Sequence, residues 1–176
     1  MSTFNKGWYL LYTRPNREKQ VALHLTRKSL EFYLPTAKAV KKRTDRRKVI
    51  ESPLFPSYVF IFLNSSKDYF DSLEIAGVVN YVRFGKQIAR VDESIVRNLK
   101  ILMDSNEEVS IIQQHIAVGE KLCITEGPLA GLECEMVKYC GKDKILVRVS
   151  LLNRFVLVDV PVDYLLRHSV MTHHEL

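Results

Sequence analysis

The run Ser52-Pro53-Leu54-Phe55-Pro56-Ser57-Tyr58-Val59-Phe60-Ile61-Phe62-Leu63 constrains this chain more than any other segment. Tyr58 to Leu63 is its most strongly apolar stretch and has the length of one strand. Alternation at period two sends Tyr58, Phe60 and Phe62 to one face and Val59, Ile61 and Leu63 to the other. Both faces are apolar, so the strand needs a helix layer on one side and a second cover on the other. Prolines on either side of Leu54-Phe55 favour an extended segment that presents the ring of Phe55.

The flanking residues supply such layers. Trp8 to Thr13 reads as a buried strand. Pro15 is placed to open a helix, and Arg17 to Lys28 carries Val21, Ala22 and Leu25 as an apolar stripe. Phe32 to Pro35 is extended. Ser65 or Ser66 caps a short helix over Lys67 to Glu74, which Gly77 ends. Val78 to Phe84 and Gln87 to Val91 read as strands around Gly85-Lys86. Asp92 caps a last helix, Glu93 to Met103. The order β-α-β-β-α-β predicts an α+β sandwich, one antiparallel sheet with helices packed on it, over residues 5–103.

After this the pattern changes. Residues 104–117 are polar and acidic, the best linker candidate. Glu120 to Thr125, Glu133 to Tyr139, Lys144 to Ser150 and Phe155 to Val160 are strand-length runs with turn signals between them. Spacing of this kind predicts a small β-barrel over residues 118–168, followed by a tail, 169–176.

Charge separates the halves. Residues 1–103 carry a net +10, residues 104–117 a net −3 and residues 118–176 a net −1. The basic half therefore suits a polyanion or an acidic protein. Its densest part is Thr36 to Ile50, read as a solvated hairpin turning at Thr44-Asp45. Lys41, Lys42, Arg43, Arg46 and Arg47 crowd its end. Such a hairpin can meet phosphates, or can simply prevent strand-to-strand association; both readings stand.

Catalysis finds little support. None of His24, His115, His168, His173 and His174 lies in a nucleophile or metal motif, and no Gly-rich phosphate loop is present. Cys123, Cys134 and Cys140 form neither a zinc spacing nor a disulfide framework. No catalytic residue, metal or cofactor is expected. Nothing reads as a membrane span or a signal peptide, which places the expected location in the cytoplasm.

Several fragments resemble one family. Trp8-Tyr9-Leu10-Leu11-Tyr12-Thr13-Arg14, Pro53 to Phe60 and Gly77 to Phe84 resemble the NusG N-terminal domain in order and spacing. Val118 to Leu122 and Glu126 to Leu132 resemble the KOW β-barrel domain that follows it. Within the NusG/RfaH superfamily, Thr13-Arg14-Pro15, Pro128-Leu129-Ala130-Gly131-Leu132 and Asp159-Val160-Pro161 are similar to the UpxY group of specialised paralogues. Two positions depart from the KOW pattern, which usually has glycine where Cys134 and Asn153 stand. Asn153 can still turn, while Cys134 requires an ordinary local backbone.

The resemblance implies a transcription elongation and antitermination factor, not an enzyme. The family's N-terminal domain grips the clamp coiled coil of RNA polymerase, and the matching positions are Tyr12, Phe55, Pro56, Tyr58 and Phe60. The opposite side is implied to meet the other wall of the DNA channel. Arg14, Gln20, His24 and Arg27 match the region that touches the non-template DNA strand in RfaH-like paralogues. The plainer readings are core filling for the rings and solvation for the helix face. The KOW domain is implied to recruit a ribosomal protein or another factor, and the UpxY likeness implies antitermination at capsular polysaccharide operons. The alternatives are a general NusG-like elongation factor and a ribosome- or RNA-binding KOW protein.

Overall fold

The computed structural model describes residues 5–43, 46–105, 109–112, 119–124, 127–149, 152, 154–158 and 170–172. The chain divides into two compact units, Met1–Glu93 and Ser94–Leu176.

In the first unit the amino-terminal strand is central. β1 (Gly7–Thr13) pairs antiparallel with β5 (Tyr58–Leu63), from Gly7 opposite Leu63 to Tyr12 opposite Tyr58. On the far side of β5 lies the two-residue β2 (Phe32–Tyr33). The other edge of β1 is shared. β6 (Val78–Tyr81) takes Leu11 to Thr13, and β9 (Arg90–Val91) takes Trp8 and Tyr9. Between them, β7 (Arg83–Phe84) and β8 (Gln87–Ile88) form a separate hairpin. The expected strands 78–84 and 87–91 are thus each broken in two. Leaving the sheet at Val82 and rejoining it at Arg90 is what breaks them.

The odd face of β1 and β5 meets helices. Tyr9, Leu11, Val59, Ile61 and Leu63 pack with Val21 and Leu25 of α1 (Glu18–Arg27) and with Ile75 and Tyr81. Burying one such aliphatic side chain contributes about 1.5–3 kcal/mol. α1 begins later than its proline suggests. Asn16 sits at φ 60, Arg17 occupies the N-cap without a side-chain bond, and Glu18 is the first helical residue. The short helix α2 (Ser66–Leu73) follows the sequence closely. Ser65 accepts from the backbone of Asp68, whose carboxylate in turn accepts from Ser65, a reciprocal capping box. Gly77, at φ 101, lets the chain pass against Val21 and Arg17, where an added Cβ would lie 3.1 Å from a Val21 methyl. The basic segment forms the hairpin β3 (Thr36–Arg43) and β4 (Arg46–Pro53), registered from Thr36 opposite Pro53 to Arg43 opposite Arg46.

The second unit opens with α3 (Glu93–Asp104), nearly all of which falls beyond the division. The sequence groups this helix with residues 5–103. Its grouping has a local cause. Asn98 Nδ2 donates to the Glu133 carbonyl at 2.7 Å, and the Glu133 N–H donates back to Asn98 Oδ1 at 3.2 Å. The remaining strands form an antiparallel sheet in the order β10-β14-β13-β12-β11-β15. These are β10 (Val109–Ile112), β11 (Glu120–Ile124), β12 (Glu133–Tyr139), β13 (Lys142–Val149), β14 (Arg154–Val158) and β15 (Val170–Thr172). Four match the expected runs. The other two correct the reading of 104–117 as wholly linker and of 169–176 as wholly tail. Val109-Ser110-Ile111-Ile112 pairs with β14, and Val170–Thr172 pairs with β11. The turn between β12 and β13 is also one residue earlier than expected, at Cys140-Gly141, both with positive φ. That is the two-residue type I′ geometry, which suits the twist of the strands. Ile145, Leu146 and Val147 of β13 are all buried, as are Val156, Leu157 and Val158 of β14. Both faces of these two strands are therefore covered, where a solvated outer face would alternate.

Candidate functional site

The five aromatic-segment candidates separate into a surface and a floor. Register places Tyr12 opposite Tyr58, and the rings lie 5.5 Å apart at 49°. Tyr12 is 40% exposed, Tyr58 is half-buried and Pro56 is exposed. Phe55 and Phe60, by contrast, are buried and meet edge to face at 5.9 Å. Tyr33 packs on Phe60 from the side. The expected extended, exposed Phe55 is therefore not what forms. The Tyr58 N–H donates to the Phe55 carbonyl at 3.1 Å, and Ser57 sits at φ 68. With proline second and a positive φ third, residues 55–58 have the arrangement of a type II turn. That turn folds the ring inward and leaves Pro56 at its apex.

One buried carboxylate holds this turn. Glu18 lies inside the unit, and its Oε1 accepts from the Ser57 N–H at 2.6 Å. The Ser57 carbonyl accepts from the Thr13 N–H at 2.8 Å. Three elements, β1, α1 and the turn, therefore converge on Ser57. Glu18 was not singled out from sequence. The signal was present, because Glu18, Val21, Ala22 and Leu25 follow the i, i+3, i+4, i+7 spacing of one buried stripe.

The basic candidates of the same unit lie on α1, which packs on the other face of the sheet, and beside it. Gln20, His24 and Arg27 recur at helical spacing along α1. Gln20 and Arg27 are exposed and His24 is half-buried. Arg17 Nη1 donates to Gln20 Oε1 at 2.6 Å, which draws a second cation to the start of this face. Arg14 is exposed just after β1, its N–H donating to the Gly77 carbonyl. Leu23, more than half exposed, accompanies these polar residues and was also missed from sequence. The β3–β4 hairpin is moored beside α1, since Lys19 Nζ donates to the Glu51 carbonyl at 2.7 Å. Its register sets Lys41 opposite Lys48, Lys42 opposite Arg47 and Arg43 opposite Arg46. The side chains of residues 38–50 and the turn residues Thr44 and Asp45 lie outside the described part. Gln20, His24 and Arg27 thus share one face of α1, and Arg14 lies between β1 and that helix. The hairpin cations are placed only by backbone register.

In the second unit Glu135 and Arg148 form a two-pronged ion pair, with Arg148 Nη2 donating to Glu135 Oε2 at 2.9 Å. Burial raises the Glu135 carboxyl. The hydrogen bond from Arg148, the Gly119 N–H and the charges of Arg148 and Lys121 outweigh it, so the net shift is downward. Cys134 sits in β12 on ordinary backbone, as its side chain demands. Burial, with smaller contributions from Cys123 and Glu135, pushes its thiol up to about 12. Asn153 and the histidines 115, 168, 173 and 174 lie outside the described residues. Among the described residues no cluster of three His, Cys, Asp or Glu side chains is arranged to hold a metal. No helix among them is long and apolar enough to cross a membrane.

Residues 6–100 match the family described as "Transcription termination factor nusG". The chain is 22% identical over 169 residues to the "Transcription termination/antitermination protein NusG" of Lactococcus lactis subsp. lactis (strain IL1403), covering 90% of this chain and 91% of that one. Among solved structures, that titled "Domain interaction in Thermotoga maritima NusG" aligns over 97% of this chain and 94% of its own, at 17% identity and a TM-score of 0.44. A "MjSpt4:Spt5 complex" structure aligns over 96% of this chain and 99% of its own, at 13% identity and a TM-score of 0.33. The family match spans more than half of the sequence and takes in the whole sheet of the first unit: the chain belongs to the NusG family of transcription termination factors.

Proposed function

We propose that this protein binds RNA polymerase through its first unit and acts as an antitermination factor, suppressing pausing and termination. The observation that carries this reading is the surface made by Tyr12, Tyr58 and Pro56 above the packed rings of Phe55 and Phe60. Adjacent aromatic side chains on a rigid floor suit the tip of a helical coiled coil, and aromatic anchors dominate many interfaces at about 2 kcal/mol or more each. The clamp coiled coil is the proposed contact for this surface. The opposite side of the unit, meeting the other wall of the DNA channel, would favour the closed, elongating enzyme. A bridging protein shifts that balance only by its differential affinity for the two states.

The face of Arg14, Gln20, His24 and Arg27 is the proposed contact for the exposed non-template strand, with the β3–β4 hairpin nearby for phosphates. The second unit is proposed to be a KOW module that recruits a ribosomal protein or another factor. The Thr13-Arg14-Pro15 and Asp159-Val160-Pro161 segments favour a specialised, UpxY-like role at capsular polysaccharide operons. The full-length likeness to the Lactococcus lactis protein favours instead a general factor serving all genes. Genome-wide polymerase occupancy separates the two, since a specialised factor alters one or a few operons.

The decisive experiment is capture of elongating polymerase by Tyr12→Ala with Tyr58→Ala. A folded double variant that loses capture supports the reading; one that captures as well as the parent removes it. His24→Ala with Arg27→Ala is expected to capture polymerase normally and to lose recruitment at the target leader. Equal recruitment of this variant and the parent would count against strand reading by α1.

A further inference from the structure

The even face of β1 carries a ring pair at each end. At one end Tyr12 stands opposite Tyr58; at the other Trp8 stands opposite Phe62, the rings meeting at 5.3 Å and 68°. Leu10 and Phe60 fill the stretch between and are fully buried. Four residues of strand put about 13 Å between Trp8 and Tyr12. β9 sets Val91 beside Trp8, and the chain then passes through Asp92 into Glu93, the first residue of α3. These segments enclose a recess of about 320 Å³, at the small end of the range for small-molecule sites, and neither Tyr12 nor Tyr58 lines it.

The walls of the recess carry charges of both signs. Lys6 Nζ lies over the Phe62 ring, 5.4 Å from its centre, a cation–π distance. Arg90 folds its guanidinium across Gly7, where an added Cβ would lie 2.8 Å from Arg90 Nε. Asp92 and Glu93 supply carboxylates. All four charged side chains are exposed. The ion pairs among the described residues are Lys28–Glu74, Arg97–Glu133 and Arg148–Glu135, so no cation of the recess is neutralised by a carboxylate of the recess.

That arrangement selects an occupant. A phosphate or a nucleic-acid strand brings negative charge, which Asp92 and Glu93 repel. A metal ion brings positive charge, which Lys6 and Arg90 repel, and no described residues are grouped to ligate one. A neutral apolar molecule would strip water from the charges without compensation. A zwitterion offers one group to the cations and one to the carboxylates. We infer that this recess binds a small zwitterion, a free α-amino acid with an apolar side chain. Its carboxylate lies toward Lys6 and Arg90, its ammonium toward Asp92 and Glu93, and its side chain against Phe62 and Val91.

The test titrates the full chain with L-leucine at millimolar concentration. The emission of Trp8 is the readout, since the chain's one tryptophan lines the recess. Leucine is expected to shift that emission saturably. 4-Methylpentanoate lacks the ammonium and isopentylamine lacks the carboxylate. Each should bind at least about fivefold more weakly, the upper end for a charge pair reached by solvent. Lys6→Gln and Asp92→Asn should each weaken leucine binding by a similar factor. Their unliganded thermal midpoints should stay close to the parent's, because both side chains are exposed. Tyr12→Ala with Tyr58→Ala should bind leucine like the parent, so this inference and the polymerase reading fail separately. No emission change with leucine, or equal affinity for either singly charged analogue, would overturn the inference. So would leucine binding that is unchanged in both Lys6→Gln and Asp92→Asn. Loss of leucine binding in the folded Tyr12, Tyr58 variant would overturn it too, by merging the recess with the aromatic surface.

Discussion

Glu18 and Ser57 stand 39 residues apart in sequence, yet the buried carboxylate of the first accepts the backbone N–H of the second at 2.6 Å. The same bond joins the helix proposed to face DNA to the turn proposed to face polymerase. Glu18→Ala is expected to destabilise the first unit by about 1–3 kcal/mol, the cost of leaving a buried donor without its acceptor. Glu18→Gln keeps an acceptor oxygen and should lose less. The readout is the urea midpoint followed by fluorescence of Trp8, the chain's one tryptophan. Equal midpoints for parent and alanine variant would show that the bond is not holding the turn.

The floor and the surface of the aromatic cluster should respond oppositely to truncation. Phe60→Ala removes a fully buried ring and is expected to cost about 3–5 kcal/mol, with Phe55→Ala close behind. Tyr12→Ala removes a ring already 40% exposed and should cost under about 1 kcal/mol. Denaturation curves check the first effect, and polymerase capture by the folded Tyr12 variant checks the second. A Tyr12 variant as unstable as the Phe60 variant would contradict this division.

Acid should weaken the second unit through Glu135. Its carboxyl titrates lower in the folded chain than in the unfolded one, because the Arg148 pair and the Gly119 N–H outweigh burial. The associated stability is complete above the unfolded value of about 4.3 and is lost as pH falls through the folded value. Glu135→Gln should lower stability at neutral pH by on the order of 1 kcal/mol, a modest figure for a pair still reached by solvent. It should also flatten the dependence between about pH 5 and 3. Amide exchange of β12 and β13 across that range measures both. An unchanged acid profile in the variant would assign the sensitivity to other carboxylates.

The three thiols are predicted to alkylate in order of access. Cys140 is exposed in its tight turn, Cys123 is half-buried, and Cys134 is buried with its thiol pushed up to about 12. Thiolate is the reactive form, so Cys134 should resist iodoacetamide until the sheet opens. Mass spectrometry at increasing urea follows the order. Early labelling of Cys134 would mean that β12 is open in the native state.

Much of this fold can be read from local pattern, and the exceptions share a cause. Tyr58–Leu63 had to be a central strand because both its faces are apolar, and the serines at 65 and 66 announced α2 as helix caps. Four strands of the second sheet stood between visible turn signals. What escaped depends on residues distant in sequence. Phe55 is buried because a turn at Pro56-Ser57 folds it onto Phe60, a result the flanking prolines do not reveal. Glu18 looked like an ordinary first-turn acid, since its partner lies in another element. Val109–Ile112 and Val170–Thr172 are short and sit in polar surroundings, so only pairing with β14 and β11 defines them. Cysteine at a positive φ is rare, which hid the turn at Cys140-Gly141.

The position of β1 in its sheet bears on how the chain matures. This strand is made first but sits between neighbours made much later, at residues 58–63, 78–81 and 90–91. Local pieces such as α1, α2 and the β3–β4 ribbon can form as they leave the ribosome. The sheet itself must wait until Val91 has emerged, since its closing contacts are far apart in sequence and correspondingly slow to meet. During that interval Trp8 to Leu11 is an apolar strand without partners, the stretch of a nascent chain on which a holding chaperone would act.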